Sequence, residues 1–314
     1  MFKRIAHNLR NLGLSRKRKP ALRLSVIVVC YQMEDQIGNT LRSLLTPYQK
    51  NIKKAEYEIL VVDNGSPQPL REDIWKLAGN VRYLHIPPGE ASPNPGVAIN
   101  RGVRMTHGEA VSLMIDGARM VTPGVLNWGL RLLSLGPRGL VEVRGWHLGP
   151  KFQPISIMEG YNHEVEKQML LASRWWENGY RLFGISAATG QTRDGFAGSA
   201  PESNCVFMPR ALFEQIGGYD ENYKQPGGGL VNLDFYARAT AAAERAYTLL
   251  GEGTFHQTHG GAATGLSQPE LMDALERWKA ESKSLRGDLE GPDKDKFILA
   301  GHLPPECRRW VLPD

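Results

Sequence analysis

Two stretches of this sequence place an acidic side chain where a buried strand would end. In Glu58-Ile-Leu-Val-Val-Asp-Asn-Gly-Ser66 an apolar run meets Asp63 and then a turn-forming triplet. In Ala110-Val-Ser-Leu-Met-Ile-Asp-Gly-Ala-Arg119 a second run meets Asp116, followed at once by glycine. Near-continuous apolar runs of this kind read as strands covered on both faces of a parallel sheet. In open α/β sheets, ligands bind beyond the carboxyl ends of the strands. A carboxylate standing there suits a hard cation, which takes oxygen ligands and keeps several waters. Arg119, close by, offers a guanidinium that can take a phosphate directly. Asp116 therefore reads as the group that meets a metal-bound diphosphate. The plainer alternatives are that Asp116 caps the next helix and Asp63 caps its own turn.

The elements needed to hold these groups follow from the pattern of the chain. Leu24–Cys30, Tyr57–Val62, Val81–Ile86 and the run before Asp116 are the expected strands. Ile37, Leu41, Leu44 and Leu45 give a helix ended by Pro47, Pro69–Leu77 a short one, and Asn94 to about Met105 a third. Strands alternating with helices predict a parallel sheet with right-handed crossovers. Beyond Asp116, a helix is expected from Pro123 to Leu133 and a strand over Gly139–Arg144. Glu164–Trp176 is helical in pattern, and the small, polar stretch 184–198 reads as a loop able to close over a ligand. A strand at Ser203–Met208 follows, then a helix with Pro209 at its start. A helix from about Leu230 to Arg245, a short strand Tyr247–Leu250, a helix from Pro269 to Leu285 and a Pro-rich end complete the reading. Trp146, Trp175 and Trp176 are all expected in the core, with stacking on sugar faces the alternative.

Composition removes several classes of function. The chain has 314 residues, 41% of them hydrophobic, enough for a full core. The formal charge of +5 belongs to one end: residues 1–23 carry eight Lys or Arg and no acid, and the rest has 30 basic against 33 acidic residues. A body of that balance disfavours nucleic acid as a partner. Within residues 1–19, Phe2, Ile5, Leu9 and Leu12 recur at helical spacing among basic residues. This is either an amphipathic contact with anionic membrane or a solvated lead-in helix. Three cysteines with no metal or disulfide spacing fit a reducing, cytoplasmic location, peripheral to the membrane if the leader binds it. No apolar stretch approaches the roughly 20 residues that span a bilayer.

With these pieces in order, the chain resembles the family 2 glycosyltransferases of GT-A fold. The resemblance is carried by Ser25–Tyr31, Glu58–Ser66, Asn94–Gly102, Met114–Arg119, Ser203–Asp220 and His256–Gly261, and covers roughly residues 24–262. It implies an α/β fold with a Rossmann-like, mostly parallel central sheet flanked by helices and an acceptor-side insertion. The expected division is a leader, 1–23; a glycosyltransferase domain, 24–265, with a nucleotide-binding half (24–120) and an acceptor half (121–265); and a C-terminal helix and tail, 266–314. The implied reaction moves a sugar from a UDP- or GDP-sugar donor to the hydroxyl of a carbohydrate or glycolipid acceptor, with Mn2+ or Mg2+.

The resemblance also assigns residues. Tyr31, Asp63, Asn100, Arg101, Asp116 and Arg119 would contact the donor, Asp63 at the base or ribose. His259, just before Gly-Gly, would join Asp116 at the metal, the alternative being an ordinary loop histidine; His256 is the weaker candidate. Imidazole suits Mn2+ better than Mg2+. The family's second acid, two residues after the first, is Ala118 here. Its Glu-Asp pair, which supplies the base in inverting members, is Val231-Asn232, and neither can accept the proton. Two acids remain as base, Asp234 and Glu202, provided either reaches the hydroxyl. Asp234 otherwise complements its helix dipole, and Glu202 is otherwise a solvated loop acid. The missing pair also raises a catalytically impaired, sugar-nucleotide-binding module. A sugar nucleotidyltransferase ranks lower, because Tyr31-Gln-Met-Glu-Asp-Gln36 lacks the glycines of a triphosphate cradle.

Overall fold

The computed structural model describes residues 24–260 and 268–311. The expected leader at 1–23 lies outside them. The first half alternates as expected: β1 (Leu24–Cys30), α1 (Glu34–Leu44), β2 (Tyr57–Asn64), α2 (Glu72–Trp75), β3 (Val81–Ile86), α3 (Pro95–Arg104) and β4 (Ala110–Met114). β1 lies between β2 and β4 and is parallel to both, and β3 adds outside β2. Every residue of β1 is buried, with period-two alternation. Leu24, Val26, Val28 and Cys30 pack with Ile37, Leu41 and Leu44 of α1. Ile27 and Val29 face Ala98, Ile99 and Val103 of α3. At about 1.5–3 kcal/mol for each large apolar side chain buried, these two faces fix the strand's register. α3 starts at Pro95 behind Asn94, whose Oδ1 accepts from the Gly96 N–H at 2.8 Å.

The second half departs from the sequence reading in several places. The chain does not enter a helix directly after Asp116. It forms β5 (Arg119–Val121) first, and only then α4 (Val125–Leu133). β6 runs from Gly139 to Leu148, followed by α5 (Gln153–Met158), α6 (His163–Ser173), β7 (Ser186–Ala187), β8 (Val206–Pro209), α7 (Arg210–Gln215) and α8 (Val231–Ala242). β9 then spans twelve residues, Arg245–His256, not four. Gly251 and Gly253 hide its second part, since glycine weakens strand propensity. Gly253 is needed there: a Cβ would lie 2.7 Å from the Trp146 ring. After α9 (Gln268–Arg286), residues expected as tail form β10 (Phe297–Gly301), parallel to β9 with Ile298 opposite Tyr247.

The ten strands of the described residues make one sheet, in the order β10–β9–β6–β8–β4–β1–β2–β3, with β5 on β9 and β7 on β6. It is mostly parallel; β8 runs antiparallel between β4 and β6. A third core cluster lies under the 147–200 insertion: Trp146, Leu170, Trp175, Leu182, Phe183 and Phe196. Trp146 and Trp175 are core residues, while Trp176 is half-exposed. No helix among the described residues is long and apolar enough to cross a membrane.

Candidate active site

The C-terminal ends of β1, β2 and β4 form one edge, and Tyr31, Asp63 and Asp116 stand along it. Asp116 is brought against β1 by Gly117, where a Cβ would lie 2.7 Å from the Val29 carbonyl oxygen and 3.0 Å from the Cys30 Cβ. Thr40 Oγ1 donates to the Gly117 carbonyl at 2.6 Å. The Ala118 N–H donates to Asp116 Oδ1 and Arg119 Nε to Oδ2, each at 3.0 Å. Asp116 therefore caps its own turn into β5. The helix-cap alternative falls, because α4 begins only at Val125.

The antiparallel pairing of β5 with β9 sets Arg119 opposite His256 and delivers both histidines to the carboxylate. His256 Nε2 is 3.1 Å from Asp116 Oδ2, and His259 Nε2 is 3.7 Å from Oδ1. The two Nε2 atoms are 2.9 Å apart. The three ligand atoms lie within 4.8 Å of one another. One carboxylate and two imidazoles converging in this way are a donor set that suits a first-row divalent ion. His256, the weaker candidate in sequence, is thus closer to the carboxylate than His259.

Burial raises the Asp116 carboxyl, but the neighbouring His256 and Arg119 outweigh it and hold the group well below the usual carboxylate range. Burial lowers the His256 imidazole, more than the attraction of Asp116 raises it. The site therefore pairs an ionised carboxylate with a His256 imidazole whose protonation is disfavoured, which is the state that ligation needs.

Three nearby groups had no sequence signal. His147 on β6 is paired with His256 across the sheet, with ring centroids 5.3 Å apart. Burial, with His256 and Arg119, pushes its pKa down to about 3. Gln153 Oε1 lies 2.7 Å from His256 Nδ1. Glu166, buried on α6, accepts from the Thr258 N–H at 2.8 Å and from Tyr161 Oη at 3.0 Å. Desolvation lifts its carboxyl to about 7. These residues come from the insertion, so only the folded chain reveals that they hold the histidine loop.

The other expected site residues divide. Tyr31 is exposed beside Asp63. Asp63 is fully buried, accepting from the Ser66 N–H (3.2 Å) and from Tyr83 Oη (2.8 Å); the turn-capping role is thereby filled. Asn100 is committed elsewhere: it donates to the Tyr219 carbonyl and to Glu221 Oε1 and accepts from the Tyr219 N–H, each at 2.9 Å. It clamps α3 to the turn after α7. Arg101 Nη1 is 3.9 Å from Glu90 Oε2, at the loop before α3.

The two candidate bases differ sharply. Asp234 is buried, with Oδ2 held by Arg238 at 2.8 and 2.9 Å and Oδ1 by Arg286 Nε at 3.0 Å. Both oxygens are taken by guanidinium donors, so this carboxylate ties α8 to α9 and is poorly placed to receive a proton. Glu202 is half-buried, and its Oε2 accepts from Asn232 Nδ2 at 2.7 Å. Asn232 also accepts from Tyr219 Oη at 3.1 Å.

Comparison with known proteins agrees with this geometry. Residues 25–120, which build the strand edge and Asp116, match the family model described as Glycosyl transferase family 2. The segment belongs to that glycosyltransferase family. Its fold is GT-A. TarS from S. aureus in complex with UDP-GlcNAc is similar at 16% identity and a TM-score of 0.53, over 85% of this chain and 68% of that one. The mannosyltransferase PcManGT from Pyrobaculum calidifontis, in complex with GDP-Man and Mn2+, is similar at 17% identity and a TM-score of 0.52, over 87% and 67%. Against a longer TarS structure, at 16% identity and a TM-score of 0.51, the match covers 85% of this chain but spans only 40% of that one. No curated protein sequence matches the chain.

Proposed function

We propose that the chain is a divalent-metal-assisted glycosyltransferase that moves a sugar from a nucleotide-sugar donor to an acceptor hydroxyl. The observation that carries the reading is the convergence of Asp116, His256, His259 and Arg119 at the strand edge of a family 2 domain. Asp116 and the two histidines would hold the ion, which supplies charge stabilisation to the departing diphosphate. Arg119 adds a fixed positive charge beside it. Tyr31 and Asp63 stand where the nucleoside would lie. Similar structures hold UDP-GlcNAc or GDP-Man with Mn2+, which makes UDP- and GDP-sugars the first donors to try.

Glu202 is the proposed base. It takes the proton of the acceptor hydroxyl as that oxygen bonds to the anomeric carbon; the bond from this carbon to the diphosphate breaks, and the nucleoside diphosphate leaves. An inverted anomeric centre is the expected product. The absence of an acid at 231–232 favours, as a second reading, a module that binds the donor without transferring it. Glu202, held on Asn232, argues against that reading. A carbohydrate or glycolipid acceptor in the cytoplasm is proposed, with residues 1–19 touching anionic lipid; sedimentation with phosphatidylserine vesicles tests that contact.

The deciding experiment is a screen of UDP- and GDP-sugars for Mn2+-dependent binding and slow donor hydrolysis. Binding and turnover support the transferase, binding with no sugar transfer to any acceptor in a cell extract supports the module, and no binding refutes both.

A further inference from the structure

Helix α5 is turned inside out. Gln153 and Ser156 are buried, while Phe152, Ile155, Ile157 and Met158 are exposed, Met158 to 84%. A surface helix ordinarily does the reverse, so something polar must hold Gln153 inward. Its partner is His256, with Gln153 Oε1 2.7 Å from Nδ1. The Gln153 backbone N–H also donates to His147 Nδ1 at 3.1 Å. The amide nitrogen of the same side chain is buried without a partner.

We propose that Gln153 is a positioning residue that fixes the Nδ1–H tautomer of His256 and thereby makes the site a two-imidazole, one-carboxylate centre that prefers Mn2+ to Mg2+. The inference rests on the metal-assisted reading above. An amide oxygen only accepts, so Nδ1 must carry the ring proton. The lone pair of Nε2 is then aimed at Asp116 Oδ2, 3.1 Å away, with His259 Nε2 at 2.9 Å. Carboxylate and imidazole thus face each other with electron pairs, an arrangement that a cation between them satisfies. Mg2+ favours oxygen ligands and retains its waters, whereas imidazole suits later first-row ions better. Partners of the non-ligating ring nitrogen typically change metal affinity 10–100-fold.

The test uses the full chain with 15N-labelled histidine and two variants, Gln153→Leu and Gln153→Glu. In the metal-free wild type, the 15N shifts of His256 should report a proton on Nδ1. A proton on Nε2 alone would overturn the inference without any variant. Mn2+ binding, followed by electron paramagnetic resonance, should weaken roughly 10–100-fold in Gln153→Leu and be restored in Gln153→Glu, which keeps the acceptor. Equal Mn2+ affinity in wild type and Gln153→Leu would overturn it, as would displacement of Mn2+ by equimolar Mg2+. A wild type that binds no Mn2+ would instead sink the metal reading itself, and this inference with it. If Gln153→Leu fails to fold, the wild-type tautomer together with Gln153→Glu decides.

Discussion

Asn232 donates its side-chain amide to Glu202 Oε2 across 2.7 Å, from the first turn of α8 to the segment leading into β8. The resemblance puts an acid at 232, and here the carboxylate has moved to the facing segment while the helix keeps a hydrogen-bond donor. The proposed function makes this carboxylate the base. Glu202→Gln should therefore lower kcat by about 10²–10⁴-fold, the usual contribution of a positioned base, with donor affinity unchanged. Steady-state kinetics alongside donor titration checks this. A fall in donor affinity with kcat intact would remove Glu202 from the chemistry.

Asp234→Asn is expected to act differently. Its carboxylate holds Arg238 and Arg286, so the substitution leaves two guanidinium groups with a weaker partner. Breaking a buried ion pair from one side costs about 3–5 kcal/mol, and the isosteric amide should lose part of that. Urea unfolding should shift to lower denaturant, while the kcat of the folded fraction stays within a few-fold of wild type. A selective loss of kcat at full stability would restore Asp234 as the base.

Asp116→Asn keeps the shape of the β4–β5 turn but removes the charge that Arg119, His256 and His259 surround. Transfer should fall below detection, and Mn2+-dependent nucleotide binding should weaken by at least about tenfold, as expected when one of three metal ligands loses its charge. Isothermal titration with nucleoside diphosphate, with and without Mn2+, checks both parts. Unchanged turnover would take Asp116 out of the mechanism.

Glu166 gives the fold a pH dependence whose sign is fixed. Its carboxyl sits at about 7 in the folded chain against 4.5 for a free glutamate, because desolvation outweighs the donors at Thr258 and Tyr161. Between those values the folded state binds more protons than the unfolded one, so this group's contribution is full below pH 4.5 and is lost as pH rises through 7. Glu166→Gln should flatten that part of the stability profile in thermal melts run from pH 5 to 8. Parallel profiles for the two proteins would show that the carboxyl is not raised.

The first half of the fold was legible because it is local. Each of β1, β2 and β4 is an apolar run longer than any turn would tolerate, and Asp116 follows from the rule that strands of such sheets end at ligands. What escaped depends on partners far along the chain. β5 is three residues and exists because His256, well over a hundred residues later, lies opposite Arg119. Phe297–Gly301 has no alternation to betray it and is a strand only because β9 offers an edge. Gln153 looks like one polar residue among apolar ones, and its purpose appears only when His256 stands beside it. Conversely, Asn100 and Asp234 occupy positions that a motif would label functional, and the fold spends them on Tyr219, Arg238 and Arg286.

Glu252 lies four residues before His256 on β9 and is fully buried. It accepts from Thr122 Oγ1 (2.5 Å), the Gly124 N–H (3.0 Å) and Tyr180 Oη (2.8 Å), and pairs with His302 Nε2 (2.6 Å), just past β10. Glu252→Ala strips all four of their shared acceptor and should lower stability by at least about 3 kcal/mol, measured by chemical denaturation; a change under 1 kcal/mol would show the cluster to be dispensable.

The same arrangement has a practical corollary. β10 and His302 brace the strand that delivers His256, along the same edge of β9 that β5 occupies further on. Trimming the protein back to residue 296 would spare every side chain proposed to hold the ion and still loosen the strand that carries one of them.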